Sequence, residues 1–140
     1  MEYGNNFYAF NPSVATDRDQ YQRSMRLIKA IYDVLNEKNI NIKSRGYTFM
    51  KDAICIITDL KSMDVCLSKE VYPLIADKYH LTGTYVIEHA IRNAIKSACR
   101  ASEKGADEGS RGPDVPSTNK PFLLMATQEV SSRLLKDVCD

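Results

Sequence analysis

Apolar residues recur at steps of three and four along nearly the whole chain, and this spacing constrains the fold more than any other feature. The clearest stretch is TGTYVIEHAIRNAI, residues 82–95, in which Ile87, Ile91 and Ile95 fall on one face of a helix. No segment alternates apolar and polar residues convincingly enough for a strand. The spacing therefore predicts an all-α fold, and 140 residues suffice for one domain with a real core.

The same periodicity, together with capping residues, predicts where the helices lie. Helices are expected over residues 16–38, 47–59, 68–79 and 84–100, and a last one begins near residue 119. Pro73 should lie in the first turn of its helix or kink it, because proline lacks the N–H that a helix interior uses. Pro121 should lie in the first turn of the last helix. The side chains expected to face inward are Tyr21, Met25, Ile28, Ile31, Tyr32, Leu35, Met50, Ala53, Ile54, Ile57, Leu60, Val71, Leu74, Ile75, Tyr79, Ile87, Ala90, Ile91, Ala94, Ile95, Ala98, Phe122, Ala126, Val130 and Leu134.

Composition divides the chain into an arm and a domain. Residues 1–15 are rich in Asn, Tyr and Phe and have no periodicity, so we expect an N-terminal arm or tail. Residues 16–140 are expected to form a single helical domain. Within it, Gly, Pro, Ser and charged residues dominate residues 101–119, and this composition predicts a mobile, solvated loop.

Several classes of protein are disfavoured by what the sequence lacks. No apolar run approaches the roughly 18 residues of a membrane span, and the N-terminus does not resemble a secretory signal, so we expect a cytoplasmic protein without membrane contact. The four cysteines form no CxxC pair and neither histidine lies near one, which disfavours a metal site and favours reduced, mostly buried thiols. No catalytic motif is visible. We expect no cofactor and no enzymatic activity.

Residues 68–100 have the order helix, short turn, helix that is typical of a helix-turn-helix. The turn, LTG, contains Gly83. The net charge of the chain is only +1, but residues 16–46 carry seven Lys/Arg against four Asp/Glu, a net +3, and residues 81–100 carry three against one, a net +2. Most helix pairs with a short loop are plain packing units, so this pattern alone leaves DNA binding and ordinary packing both open.

Three further stretches resemble one family. The chain contains VYPLIADKYHLTGTYVIEHAIRNAI at 71–95, GYTFMKDAI at 46–54, and Thr118-Asn119 followed by Phe122. In this order and at this spacing they resemble the DNA-binding effector domain of stage-zero sporulation protein A, the response regulator that starts endospore formation. The resemblance covers roughly residues 27–136.

The resemblance implies an all-α effector domain of about six helices, with a helix-turn-helix whose recognition helix enters the major groove of double-stranded DNA. Two such domains sit in tandem on DNA in that family, which implies a possible homodimer. The family's effector domain normally follows a phosphorylatable receiver domain, and the printed chain has no room for one. We therefore expect the protein to act without an aspartyl phosphate of its own.

The candidate contacts with DNA lie on the exposed face of the predicted recognition helix. Arg92 is expected to contact a guanine edge or a phosphate, and Lys96 to contact a phosphate. Two positions depart from the family, because Val86 and His89 stand where it has arginines. The candidate set is Thr84, Tyr85, Glu88, His89, Arg92, Asn93, Lys96 and Arg100.

Each candidate also has a reading that needs no DNA. Arg92 could pair with Glu88 four residues earlier, and Tyr85 could pack against Tyr79. Two functions therefore remain open. One is a sequence-specific transcriptional regulator; the other is a module that binds DNA weakly or not at all and pairs with a full-length sporulation regulator to modulate it.

Overall fold

The structure, a computed structural model, describes residues 14–105 and 116–139, and all regular structure in these ranges is helical. The helices are α1 (Val14–Glu37), α2 (Arg45–Leu60), a π-helical turn (Leu67–Val71), α3 (Tyr72–Lys78), α4 (Tyr85–Gly105) and α5 (Asn119–Cys139). The all-α prediction is confirmed, and the expected number of helices is roughly right. None of the described helices combines the length and the apolar character that crossing a bilayer requires.

Helix α2 lies at the centre of the fold and packs against α1, α4 and α5. Its N-terminus is fixed by Ser44, whose Oγ accepts a hydrogen bond of 3.1 Å from the backbone N–H of Tyr47. Its C-terminus is fixed by Lys61, which adopts a left-handed conformation with φ 57°. Met50 and Ile54 are fully buried along its length. The predicted span of 47–59 thus began two residues too late and ended one residue too early.

The inward stripe predicted for the outer half of α1 is wrong. Tyr21 is 66% exposed and Met25 is 49% exposed, whereas Ile31 and Leu35 further along are fully buried. Helix α1 has 24 residues and α2 has 16, which correspond to about 36 Å and 24 Å at 1.5 Å per residue. The exposed apolar side chains lie in the N-terminal half of α1, and the buried ones lie in its C-terminal half. Tyr32, Leu60 and Leu74 were also expected to face inward and are exposed.

Two ion pairs join the C-terminal end of α1 to α5. The carboxylate of Glu37 accepts hydrogen bonds from both terminal nitrogens of Arg133, and the Nη1 bond is 2.7 Å long. Lys38 Nζ lies 3.0 Å from Glu129 Oε2. The hydrogen bond from Arg133 holds the pKa of Glu37 below its ordinary value. Together these pairs join two helices that are far apart in the sequence.

The third predicted helix consists of two parts. Its first turn, Leu67–Val71, is π-helical, and the N–H of Tyr72 donates to the carbonyl of Leu67. Pro73 then lies in the first turn of α3, which is one of the two outcomes that the sequence left open. Glu70 completes the start, because its Oε2 accepts a hydrogen bond of 2.6 Å from the N–H of Cys66.

Two predicted boundaries need correction. Helix α4 continues to Gly105, so the loop expected at 101–119 begins too early; residues 106–115 of that loop lie outside the described residues. Helix α1 begins at Val14, inside the predicted arm 1–15, of which residues 1–13 lie outside the described residues. Helix α5 begins at Asn119, as predicted.

Candidate nucleic-acid interface

The turn between α3 and α4 is built around His80. This residue adopts φ 56°, in the left-handed region that non-glycine residues seldom occupy. The N–H of Leu81 then donates back to the carbonyl of Ala76 at 2.8 Å, which closes the C-terminus of α3. Gly83, the residue that the sequence suggested, lies in the turn without a positive φ, and a Cβ added there would meet nothing within 4 Å.

Helix α4 begins immediately after Thr84. The carbonyl of Thr84 accepts hydrogen bonds of 3.1 Å from the N–H groups of Ile87 and Glu88, which makes Thr84 the N-terminal cap position. Ile87, Ile91 and Ile95 are fully buried, as predicted. The helix therefore has one apolar face fixed in the core and an opposite face toward solvent.

Gly46 sets the distance between α2 and α4. A Cβ at this position would lie 2.4 Å from the carbonyl oxygen of Ala90 and 2.6 Å from Cβ of Ala94. Only a glycine allows the two backbones to come this close. The small residues Ala90 and Ala94 on α4 thus meet the one residue of α2 that has no side chain.

Helix α3 is tied to α2 by a polar cluster around Asp52, which is buried. The two carboxylate oxygens accept hydrogen bonds from Lys78 Nζ at 2.9 Å and from Tyr79 Oη at 2.6 Å. Burial and then the hydrogen bond to Asp52 raise the pKa of Tyr79. Partial burial lowers the pKa of Lys78, but the bond to Asp52 outweighs it and raises that pKa. The cluster orients the helix that precedes the turn.

The solvent face of α4 carries the predicted residues in one stripe at steps of three and four. Tyr85 is 68% exposed, and its ring stacks on that of His89 with centroids 5.4 Å apart. Arg92 Nη2 donates to Glu88 Oε1 at 2.6 Å, and both side chains are partly exposed. Tyr79, the alternative neighbour of Tyr85, instead packs edge-on against Phe49 at 5.6 Å. The stripe also contains the exposed residues Asn93, Lys96 and Arg100.

The stripe offers donors, acceptors and positive charge on one convex surface. Arg92, Lys96 and Arg100 are cationic, and Glu88 is the only acidic residue of α4 before residue 101. Val86 is 38% exposed and adds an apolar side chain near the N-terminus of α4. Helical side chains of these types recognise base edges and phosphates in a DNA groove.

One residue near this surface, Asn119, was not among the predicted contacts, because the sequence analysis gave it only a place in the Thr118-Asn119 motif and at the start of the last helix. Its Nδ2 donates to the backbone carbonyl of Glu88 at 3.0 Å and to Tyr72 Oη at 3.3 Å. Burial raises the pKa of Tyr72, and the hydrogen bond from Asn119 opposes this. No sequence pattern indicates such a contact, because the partners are 31 and 47 residues away.

The described residues show no site for a metal ion. Within residues 14–105 and 116–139, no three His, Cys, Asp or Glu side chains come together as metal ligands would. Cys55 and Cys99 are half-buried free thiols, whereas Cys66 is exposed, so the prediction of buried thiols is wrong for Cys66.

The arrangement α3, turn, α4 on a helical scaffold is that of a helix-turn-helix, in which α4 is the second helix. The family model described as the C-terminal domain of sporulation initiation factor Spo0A matches residues 31–121, well over half of the chain. The chain belongs to this family of effector domains of sporulation regulators, which is a family of DNA-binding domains and not of enzymes.

Proposed function

We propose that this protein is a sequence-specific transcriptional regulator that binds double-stranded DNA by inserting α4 into the major groove. The observation that carries the proposal is the exposed stripe of α4, which lies opposite the buried Ile87, Ile91 and Ile95. Membership of a DNA-binding family supports the same function. A helix in the groove presents such a stripe to base edges near its N-terminus and to phosphates further along.

Arg92 is the residue best suited to recognise a base. A guanidinium has five N–H donors, and the hydrogen bond to Glu88 uses one of them. The remaining donors suit the O6 and N7 acceptors of guanine, while Glu88 holds the side chain in place. Glu88 also places a negative charge beside the DNA, which disfavours binding to arbitrary sequences.

The other residues of the stripe have complementary roles. Lys96 and Arg100 lie one and two turns beyond Arg92, where the helix meets phosphates. Tyr85 and His89 form a stacked pair near the N-terminus, where Asn93 completes the polar surface. Val86 suits the methyl group of thymine where the family has an arginine suited to guanine. We therefore expect a target sequence different from that of the family's regulator.

The phosphate role of Lys96 is tested by the salt dependence of binding. Each neutralised phosphate contributes about −0.9 to the slope of log affinity against log salt. Lys96→Ala should weaken binding to all sequences alike and make the slope shallower by about one unit. Lys136→Ala is the matched control, because Lys136 is exposed and lies 17 residues beyond Asn119, about 25 Å further along α5.

Two results would contradict this assignment. In one, Lys96→Ala keeps the parent's slope; in the other, Lys136→Ala lowers the slope as much as Lys96→Ala does. Either result would place the phosphate contacts on another surface.

A second candidate function is a module that pairs with another copy of this chain or with a full-length sporulation regulator. Tyr21, Met25 and Leu74 are large apolar side chains that α1 and α3 expose. These two helices and α2 line a groove of about 410 Å³ to which α4 contributes no residue. Association through this surface should depend little on salt and should be lost in Leu74→Glu, which distinguishes it from DNA binding through α4.

A further inference from the structure

Three helices meet at the side-chain amide of Asn119. Its Nδ2 bears two hydrogens; the hydrogen bonds run to the Glu88 carbonyl of α4 at 3.0 Å and to Tyr72 Oη of α3 at 3.3 Å. Asn119 itself is the first residue of α5, and Phe122, one turn later, is fully buried. The amide thus links both helices of the helix-turn-helix to a helix outside it.

The chemistry of the partners fixes which way the amide faces. A backbone carbonyl can only accept a hydrogen bond, so the atom that approaches Glu88 must be the nitrogen. The buried Oδ1 of Asn119 finds no donor in the part of the chain that the structure describes. A buried acceptor left without a partner is unfavourable. The two hydrogen bonds that Nδ2 donates therefore hold the side chain in place, although Oδ1 has no donor among the described residues.

The hydrogen bond from Asn119 to Glu88 lies on a turn of α4 that also carries part of the exposed stripe. Glu88 contributes its carbonyl to Asn119 on the inner side and its carboxylate to Arg92 on the outer side. In a regular α-helix the same carbonyl also accepts from the N–H of residue 92. One turn of the recognition helix therefore carries both the contact with α5 and the Glu88–Arg92 pair.

We infer that Asn119 is a positioning residue for the recognition helix. Its amide links α5 to the turn of α4 that carries Glu88 and Arg92, and so fixes the position of this turn relative to α3. The inference rests on the proposed function, since it assigns Asn119 to the accuracy with which α4 meets base edges. Phosphate contacts tolerate small shifts of the helix, whereas base contacts do not. Loss of the amide should therefore lower discrimination between sequences more than affinity for random duplex.

The test uses Asn119→Asp, which keeps the shape but places carboxylate oxygen against the carbonyl of Glu88, and Tyr72→Phe, which removes only the second acceptor. Thr127→Val is the matched control. Thr127 is buried on the same helix, and its hydroxyl donates a hydrogen bond of 2.7 Å to the carbonyl of Leu123, which also lies in α5. Hydrogen exchange of α4 amides relative to α2 amides is measured first, without DNA. The ratio of affinities for selected and random duplex is measured second.

In Asn119→Asp we expect exchange around Arg92 to accelerate relative to α2, and the affinity ratio to fall about three- to tenfold, as the loss of the hydrogen bond to the Glu88 carbonyl implies. Tyr72→Phe should show a smaller fall, and Thr127→Val no change in either ratio. The salt slope should stay that of the parent in all three.

Unchanged relative exchange in both Asn119→Asp and Tyr72→Phe would overturn the inference, and so would an unchanged affinity ratio where the parent discriminates. If the parent itself does not discriminate, the proposed function fails, while the exchange measurement still decides whether Asn119 positions α4. If Asn119→Asp does not fold, Tyr72→Phe with Thr127→Val decides both measurements.

Discussion

At the scale of single residues, one buried carboxylate links α2 to the end of α3. Asp52 on α2 is buried and accepts hydrogen bonds from Lys78 and Tyr79 at the end of α3. Lys78 lies over the Tyr79 ring at 5.3 Å and adds a cation–π contact. Removing Asp52 would leave the Tyr79 hydroxyl without this acceptor and α3 without its polar tie to α2.

This cluster should make stability depend on pH in the alkaline range. Burial and Asp52 raise the pKa of Tyr79 above its ordinary 10.0, and the bond to Asp52 raises the pKa of Lys78 above 10.5. The folded protein thus holds both protons more tightly than the unfolded chain. The stabilisation is present below pH 10 and is lost as pH rises through the folded pKa values.

Urea unfolding of the parent and of Asp52→Asn between pH 7 and 11 measures this effect. We expect the parent to be more stable at pH 7 and the difference between the two to shrink above about pH 10. A difference that stays constant up to pH 11 would show that Asp52 does not hold these protons.

At the scale of helices, α4 is positioned by its contact with α2. Gly46 meets the backbone of Ala90 and the side chain of Ala94 at distances that exclude a Cβ. Gly46→Ala should therefore push α4 away and cost about 1–3 kcal/mol, the usual range for overpacking. Gly83→Ala is the matched control, since its Cβ would meet nothing and should give up to about 1 kcal/mol of stabilisation through the unfolded state.

Urea unfolding of both glycine variants checks this expectation. Equal stabilities for Gly46→Ala and Gly83→Ala would mean that α2 and α4 do not approach as closely as the structure has them.

The periodicity of apolar residues predicted the buried helix faces correctly wherever a neighbouring helix covers the apolar stripe. Ile87, Ile91 and Ile95 were expected in the core and are fully buried, since α2 and α5 cover that face. The same periodicity failed at Tyr21 and Met25, because a repeat of apolar residues does not reveal how far the neighbouring helices extend. Helix ends depended on local contacts that the spacing of apolar residues does not show, such as the Ser44 cap at the N-terminus of α2 and the left-handed Lys61 at its C-terminus.

At the scale of the whole molecule, the candidate interface combines local pattern with long-range contact. The stripe from Tyr85 to Arg100 followed from spacing alone, and the family from motifs that matched it. The contact of Asn119 with Glu88 could not be predicted, because it depends on how α5 returns to the recognition helix. The ion pair between Glu37 and Arg133 joins residues that are 96 positions apart, and no local sequence pattern indicates it either.

The net charge of +1 gives the molecule little general attraction for DNA. The proposed binding of DNA relies on the face of α4, where three cationic residues lie against one acidic residue. A protein with this distribution should depend strongly on a few contacts, which makes single substitutions on α4 informative.

The most direct test of the central claim is an unbiased selection of bound duplexes from a random pool, carried out with the parent and with Arg92→Ala at physiological salt. The account predicts that the parent enriches a defined sequence, and that Arg92→Ala binds it about 1–3 kcal/mol more weakly and loses preference at one base pair. A parent pool without enrichment, together with equal binding of random duplex by Arg92→Ala and the parent, would contradict it.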